Sequence, residues 1–440
     1  MNDPVSDTDS PTTNSAAPRW TRSTIGEKLA GDSGIRALME DLGQALTTRP
    51  DMLMLGGGNP AAVPEVQAIW RQRMREMLDA GDAFDRMLGN YDPPGGNPAF
   101  REAFADLLRR TFGWDVRPAN VAVTNGTQTA AFFLFNLLGG SARGARHRIL
   151  LPLSPEYIGY ADQTIEPQVF LSCRPLIDWP RGRAARLFKY RLDFESVEWA
   201  LRRGDVAAIA LSRPTNPTGN VLTQEELERL VDLAGLRGSL LIVDNAYGAP
   251  FPGILFGDVQ PVWAPHVVNL FSLSKLGLPG ARAGIVVGPE PLIADIEAMN
   301  AVIALASGNL AQQLTLPMIR SGQILEMGSL IRPFYQKRSL FAQEVMRREF
   351  DAAGLDWALH VSEGAFFHWL WLRGLSVPTS ELYQRLKQRS VLVVPGECFF
   401  FGLEADWPHR RECLRLNYAQ EPDVIEQAVR IIAQEAAAAT

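Results

Sequence analysis

Cysteine is scarce: only Cys173, Cys398 and Cys413 occur in 440 residues. They stand far apart, form no C-x-x-C motif and cannot all pair within one chain, so a reduced, cytoplasmic setting is expected. Histidine is also sparse, and His147, His266, His360, His368 and His409 show no metal-ligand spacing. His368 lies between Phe367 and Trp369 in an apolar stretch, where packing is the expected role. No apolar run approaches the roughly 18 residues of a membrane span. The longest, such as Ala130–Leu138, suit a buried helix. An excess of positive charge is missing as well. The 43 Lys and Arg stand against 49 Asp and Glu, a net charge of −6, the wrong sign for a general binder of nucleic acid or anionic membrane. The segment 1–18 has neither a basic nor an apolar region and does not read as a secretory signal.

What is present is an ordinary globular composition, 46% apolar and 21% charged, in a chain long enough for a large buried core. Residues 1–18 are mostly Ser, Thr, Asp, Pro and Ala, too polar to offset the entropy of ordering them, and are expected to be a disordered tail. Ile35, Leu38, Met39, Leu42 and Leu46 then recur at helical spacing, predicting an amphipathic helix over Ile35–Thr47. In the middle third, Ile149–Leu153, Val206–Leu211, Leu240–Val243, Val267–Leu273 and Ile285–Val287 alternate with helical segments. Strands buried on both faces read this way, which predicts an α/β fold with a mostly parallel central sheet sandwiched by helices. The C-terminal part mixes helices (335–350, 423–438) with strands (364–372, 391–394), as a smaller α+β domain would. The expected division is a segment 19–80 contributing to the small domain, a large domain 81–325 and a small domain 326–440.

In such sheets ligands gather beyond the carboxyl ends of the strands, and the unusual polar residues fall there. Asp244 directly follows an apolar strand, where it serves either as a turn cap or as the counter-ion of a cationic ring nitrogen. Lys275 also follows a strand, so its ammonium is partly desolvated and suited to condense with an aldehyde; an ordinary strand-end lysine is the alternative. Ser272, Ser274 and Arg282 flank it with donors for a phosphate. The segment Arg213-Pro214-Thr215-Asn216-Pro217-Thr218-Gly219 must be a rigid non-helical turn that fixes the amide of Asn216. Thr124-Asn125-Gly126-Thr127-Gln128 links a strand to a helix start, whose backbone N–H groups suit an anion, with Thr127 or Asn125 also available as an N-cap. Gly56-Gly57-Gly58 matches neither a dinucleotide nor a Walker pattern.

Taken together, T-N-G-x-Q, N-P-T-G, D-x-x-Y and S-x-S-K with a following Arg resemble the fold-type I pyridoxal-5′-phosphate aminotransferases of the aspartate-aminotransferase superfamily. The resemblance extends from about Trp20 to the end of the chain. Longer phrases, including Pro155-Glu156-Tyr157-Ile158-Gly159-Tyr160 and Gly364-Ala365-Phe366-Phe367-His368-Trp369, are similar to the branch that moves an amino group from valine to pyruvate. The loop from Lys275 to Arg282 is one residue shorter than in many members.

The resemblance implies pyridoxal 5′-phosphate as cofactor, with Lys275 as the amine that carries it and removes the substrate Cα proton. Asp244 would hold the ring nitrogen protonated, Asn216 and Tyr247 would bond the ring oxygen, and Tyr157 would stack on the ring. Gly126, Thr127, Gln128, Ser272, Ser274 and Arg282 would bind the phosphate. Tyr91 resembles the tyrosine that reaches the phosphate from a neighbouring subunit, which implies a homodimer with the site at its interface. Arg415 matches the arginine that grips the substrate carboxylate, with Gly58 approaching it closely. The implied reaction passes the amino group of L-valine, or another small aliphatic amino acid, to pyruvate in a ping-pong cycle. Its rivals are a β-lyase on the same cofactor, another class I/II aminotransferase, and a non-catalytic regulatory module that binds it; the net negative charge and short tail oppose the last. Small amino acids and 2-oxo acids are the expected partners, not nucleic acid or membrane.

Overall fold

The computed structural model describes residues 20–47 and 51–440, so the tail expected over 1–18 lies outside the described residues. Its centre is an eight-stranded sheet in the order Val121–Thr124, Gly284–Val287, Val267–Ser272, Leu240–Asp244, Val206–Ser212, Ala145–Leu151 and Gly140–Ala142, with Phe170–Ser172 also paired to Ala145–Leu151. From Val267–Ser272 to Ala145–Leu151 and on to Phe170–Ser172 every pairing is parallel. Gly284–Val287 runs antiparallel to both of its neighbours. This is the mostly parallel α/β sheet that the apolar runs predict.

Alternation along each strand explains why the sheet is covered on both faces. Ala122, Ala208, Ile242 and Val268 pack with Phe133 and Leu134 of the helix Thr127–Leu138 and with Ile293 and Ile296 of the helix Glu290–Ala304. Their neighbours Ile209, Leu241 and Val243 point the other way, against Val197 of Phe194–Arg202 and Leu227 and Leu230 of Gln224–Arg237. A polar residue within any of these strands therefore lacks a solvent face, and functional groups are confined to strand ends.

A second, six-stranded sheet is ordered Val394–Pro395, Cys413–Asn417, Phe367–Leu372, Trp357–His360, Leu187–Arg191 and Leu176–Asp178. The last two come from the middle of the chain, Leu187–Arg191 pairing in parallel with Trp357–His360. Leu53–Met54 pairs with Val391–Leu392, tying an N-terminal segment to C-terminal residues. The long helix spans Met327–Ala352, beyond the predicted 335–350, with Pro333 inside it, and a last helix covers Pro422–Ala437. The amphipathic helix near the N-terminus occupies Gly34–Thr47, anchored through Asp41 to Tyr383 and Lys387 of the helix Thr379–Gln388. No helix among the described residues is long and apolar enough to cross a membrane.

Candidate active site

The strand ends converge on one cavity, as the parallel topology requires. Gly58, Thr127, Gln128, Tyr157, Asn216, Asp244, Tyr247, Ser272, Ser274, Lys275, Arg282 and Arg415 all line it. Gly126 stands behind Thr127 as the residue before the helix Thr127–Leu138. Tyr91 is the exception: it is 85% exposed and lies outside this cavity.

Lys275 follows the strand Val267–Ser272, and its Nζ donates to the Gly58 carbonyl at 2.7 Å. Burial, then the nearby Arg415 and Arg282 guanidiniums, lower its pKa to about 8, while Asp244 pulls the other way. The amine still carries its proton at pH 7 for most of the time but gives it up far more readily than an ordinary lysine, which favours a nucleophile or base. Asp244 ends the neighbouring strand. Its Oδ2 accepts from the Tyr160 hydroxyl at 2.5 Å and its Oδ1 from the Ala246 N–H at 2.9 Å. Burial raises its pKa despite those two donors and Lys275. A buried carboxylate held by donors, facing a cavity with no cation in ion-pair contact among the described residues, suits a cationic ligand group. That donor set fits a protonated ring nitrogen.

Arg415 is 2% exposed, in the strand Cys413–Asn417. Its Nη1 donates to Asn216 Oδ1 at 2.9 Å and its Nη2 to the Gly56 carbonyl at 2.6 Å, and its plane lies against Phe367 at 4.3 Å. Nε has no hydrogen-bond partner among the described residues, and burial draws its pKa down to about 10. A buried guanidinium without a carboxylate partner is costly unless a ligand supplies one. The Gly56 carbonyl accepts from the arginine, while the Gly58 carbonyl, on the same cavity, accepts from Lys275. Asn216 is fixed because the turn closes on itself, Gly219 N–H to Thr215 O at 2.8 Å and Thr215 N–H to Asn220 O at 2.8 Å. A Cβ on Gly219, at φ +69°, would come within 2.8 Å of the Gly364 carbonyl.

The helix Thr127–Leu138 is capped by Gly126 with no side-chain hydrogen bond, so neither Thr127 nor Asn125 serves as the N-cap. Its first N–H groups remain available at the positive end of the helix dipole. Arg282 crosses this point so closely that a Cβ on Gly126 would lie 2.3 Å from Nη2. With Ser272 and Ser274 on the same cavity wall, the arrangement fits a phosphate group.

Several cavity residues escaped the sequence reading. Tyr160, which holds Asp244, was visible only as part of a motif. Ser212, at the end of Val206–Ser212, lines the cavity beside Asn216. Ile35, Leu38 and Met39 give the cavity an apolar wall. Their helical spacing was legible, and an unusually exposed Met39, at 57%, marks a face that the fold itself does not bury.

The sequence matches the family described as aminotransferase class I and II over residues 51–432. It is 46% identical over 418 residues to the valine–pyruvate aminotransferase of Escherichia coli K12, covering 94% of this chain and 98% of that protein. A crystal structure of a putative amino-acid aminotransferase from Psychrobacter arcticum superposes with TM-score 0.92 at 38% identity, covering 96% of this chain and 99% of that one. The valine–pyruvate aminotransferase of Salmonella typhimurium LT2 superposes with TM-score 0.81 at 44% identity, covering 91% and 98%.

Proposed function

Because the chain belongs to the class I and II aminotransferases, we propose that it transfers the amino group of L-valine, or another small aliphatic amino acid, to pyruvate with pyridoxal 5′-phosphate as cofactor. The products are 2-oxoisovalerate and L-alanine. The observation that carries this reading is the meeting of Lys275, Asp244 and Arg415 around one cavity: an amine that loses its proton readily, an anion for a ring cation and a guanidinium for a carboxylate. Two relatives named for valine and pyruvate support the choice of substrates.

When bound, pyridoxal phosphate supplies an aldehyde that condenses with amines and a protonated ring that draws off the electron pair left at the substrate Cα. Asp244 would keep that ring nitrogen protonated, and the Tyr160 hydroxyl holds the Asp244 carboxylate in place. Asn216 and Tyr247 would orient the ring oxygen, Tyr157 would pack on the ring, and Gly126, Thr127, Gln128, Ser272, Ser274 and Arg282 would hold the phosphate. Arg415 takes the substrate carboxylate in a two-pronged grip that lysine cannot reproduce. Lys275 Nζ would be placed to take the proton from the substrate Cα. Tyr91, exposed in one protomer, would reach the phosphate of a second copy, which makes the working unit a homodimer.

The apolar wall of Ile35, Leu38 and Met39 suits an aliphatic substrate side chain. Leu38→Ala is expected to raise KM for L-valine about fivefold to tenfold and to leave L-alanine nearly unchanged, as about 1–3 kcal/mol per methylene implies. Steady-state kinetics on both amino acids measures the ratio; an equal change for both would remove the helix from substrate selection.

The overall test is a half-reaction. L-valine should bleach the yellow holoenzyme, releasing 2-oxoisovalerate without ammonia, and pyruvate should restore the colour. Colour unaffected by every amino acid offered, or ammonia and pyruvate from cysteine-like substrates without an acceptor, would sink the transaminase reading. A pH dependence follows from Lys275. Its amine is protonated and unreactive below about pH 8, so recombination of apoenzyme with pyridoxal phosphate should accelerate as pH rises and level off above about 8. Stopped-flow absorbance on the apoenzyme reads this directly; a rate independent of pH between 6 and 9, roughly the span over which such an amine titrates, would contradict it.

A further inference from the structure

A second carboxylate is buried beside this cavity and has no part in the chemistry described so far. Glu156 is 2% exposed, in the loop after the strand Ala145–Leu151. Its Oε2 accepts from the Ser212 N–H at 2.9 Å, and its Oε1 accepts from the Tyr157 N–H at 2.8 Å and from the Ser212 hydroxyl. Its own N–H donates to the Phe399 carbonyl at 3.0 Å. Every group facing the carboxylate is thus a donor, so the acceptor-only, ionised form satisfies them all. Burial, reinforced by Asp244, opposes that ionisation and draws the pKa up to about 7, with the three donors pulling it back. A fold that needed only to join two strand ends could do so with neutral groups; a buried charge is disfavoured unless its bonds matter.

The contacts continue beyond Ser212. Its Oγ, while donating to Glu156, accepts from the Asn216 N–H at 3.3 Å, and Asn216 Oδ1 accepts from Arg415 Nη1 at 2.9 Å. Two hydrogen-bonded contacts therefore meet at Asn216: the Glu156–Ser212 pair holds its backbone N–H, and its side-chain oxygen takes the guanidinium of Arg415. The coupling is mechanical: holding the Asn216 backbone fixes where its side-chain amide stands. Asn216, with its oxygen committed to Arg415, turns its amide nitrogen elsewhere, and the fork of Arg415 is held in one plane.

We infer that Glu156 is a positioning residue for the substrate carboxylate, fixing the Arg415 fork through Ser212 and Asn216. The inference rests on the reading of Arg415 as the carboxylate grip. Glu156→Gln preserves size but removes the charge and must set an NH2 group against at least one of the three donors, so it loosens the hold on Ser212. Ser212→Ala removes the hydroxyl that Asn216 N–H meets and leaves Glu156 its two backbone donors.

The test uses four holoenzyme variants: Glu156→Gln, Ser212→Ala, Arg415→Ala and the double variant Glu156→Gln/Arg415→Ala. Two quantities are read: the dissociation constant of 3-methylbutanoate, which is valine without its amine, by calorimetry, and kcat/KM for valine in the half-reaction. Glu156→Gln and Ser212→Ala should each weaken 3-methylbutanoate about tenfold and raise KM more than they lower kcat. In the Arg415→Ala background, adding Glu156→Gln should change kcat/KM by less than about twofold, because its effect travels through the missing arginine. An equal loss in both backgrounds, or no loss from Glu156→Gln and Ser212→Ala alone, overturns the inference while leaving the grip intact. Arg415→Ala without effect overturns the grip, and the inference with it. Should Glu156→Gln fail to fold, as thermal denaturation of the apoprotein would reveal, Ser212→Ala combined with Arg415→Ala carries the same comparison.

Discussion

Lys275→Ala is expected to lower turnover by about 10⁴-fold, near the upper end of what a positioned acid or base contributes, and to abolish the yellow colour. The residue is asked to do two things, and both need the same nitrogen. Held against the Gly58 carbonyl and drawn to a pKa of about 8 by burial and two guanidiniums, it loses its proton readily enough to react with an aldehyde and then to accept a proton. Alanine removes both functions and leaves the walls of the cavity intact. Absorbance and single-turnover kinetics measure the two losses separately. Retained colour with lost turnover would assign the covalent link to another amine, and retained turnover would end the role of Lys275.

Asp244→Asn should separate binding from stability. The asparagine can keep its oxygen on the Ala246 N–H and donate to the Tyr160 hydroxyl, which turns round, so the fold has no reason to fail. What disappears is the charge. Stranding one member of a buried ion pair costs about 3–5 kcal/mol, so affinity for pyridoxal phosphate should fall by about 10²- to 10⁴-fold. Turnover should fall with it, because an unprotonated ring draws electrons poorly. The apoprotein should move in the opposite direction. Burial raises the pKa of Asp244 in the fold, so its contribution to stability falls as pH rises from the unfolded value of about 3.9 through the folded one. At neutral pH the apo Asp244→Asn variant should therefore melt no lower than the parent, and higher if nothing else changes. Fluorescence titration and calorimetry of apo samples check both signs; a variant that melts lower and binds the cofactor normally would reverse the account.

Much of this site could be located from the sequence because a strand buried on both faces tolerates no polar residue until it ends. Asp244, Lys275 and Asn216 stand out as polar residues just past apolar runs, and the parallel sheet brings all three runs to one edge. Arg415 was harder to place on physical grounds alone. It sits within a strand of the other sheet, paired across from Trp369 and Val394, and periodicity cannot distinguish a buried guanidinium from a surface one. The turn at Thr124–Gln128 was legible as a helix start but not as an uncapped one, since the choice of Gly126 over Asn125 depends on a φ of +93°. The hairpin of Leu176–Asp178 and Leu187–Arg191 was not singled out in the sequence, and only three-dimensional packing commits it to the sheet built mainly from C-terminal residues.

By itself the amino-acid sequence determined the order of strands and helices, the polar residues that end each buried strand, and the family to which that order belongs. These are properties of short segments, set by side-chain volume, alternation and turn chemistry. The tertiary structure alone decided that Glu156 grips Ser212, that Tyr160 holds Asp244, that Gly56 meets Arg415, and that Ile35, Leu38 and Met39 close over the cavity. Each joins residues far apart in the chain, and a hydrogen bond or packing contact at that separation depends on how whole layers dock rather than on any local preference.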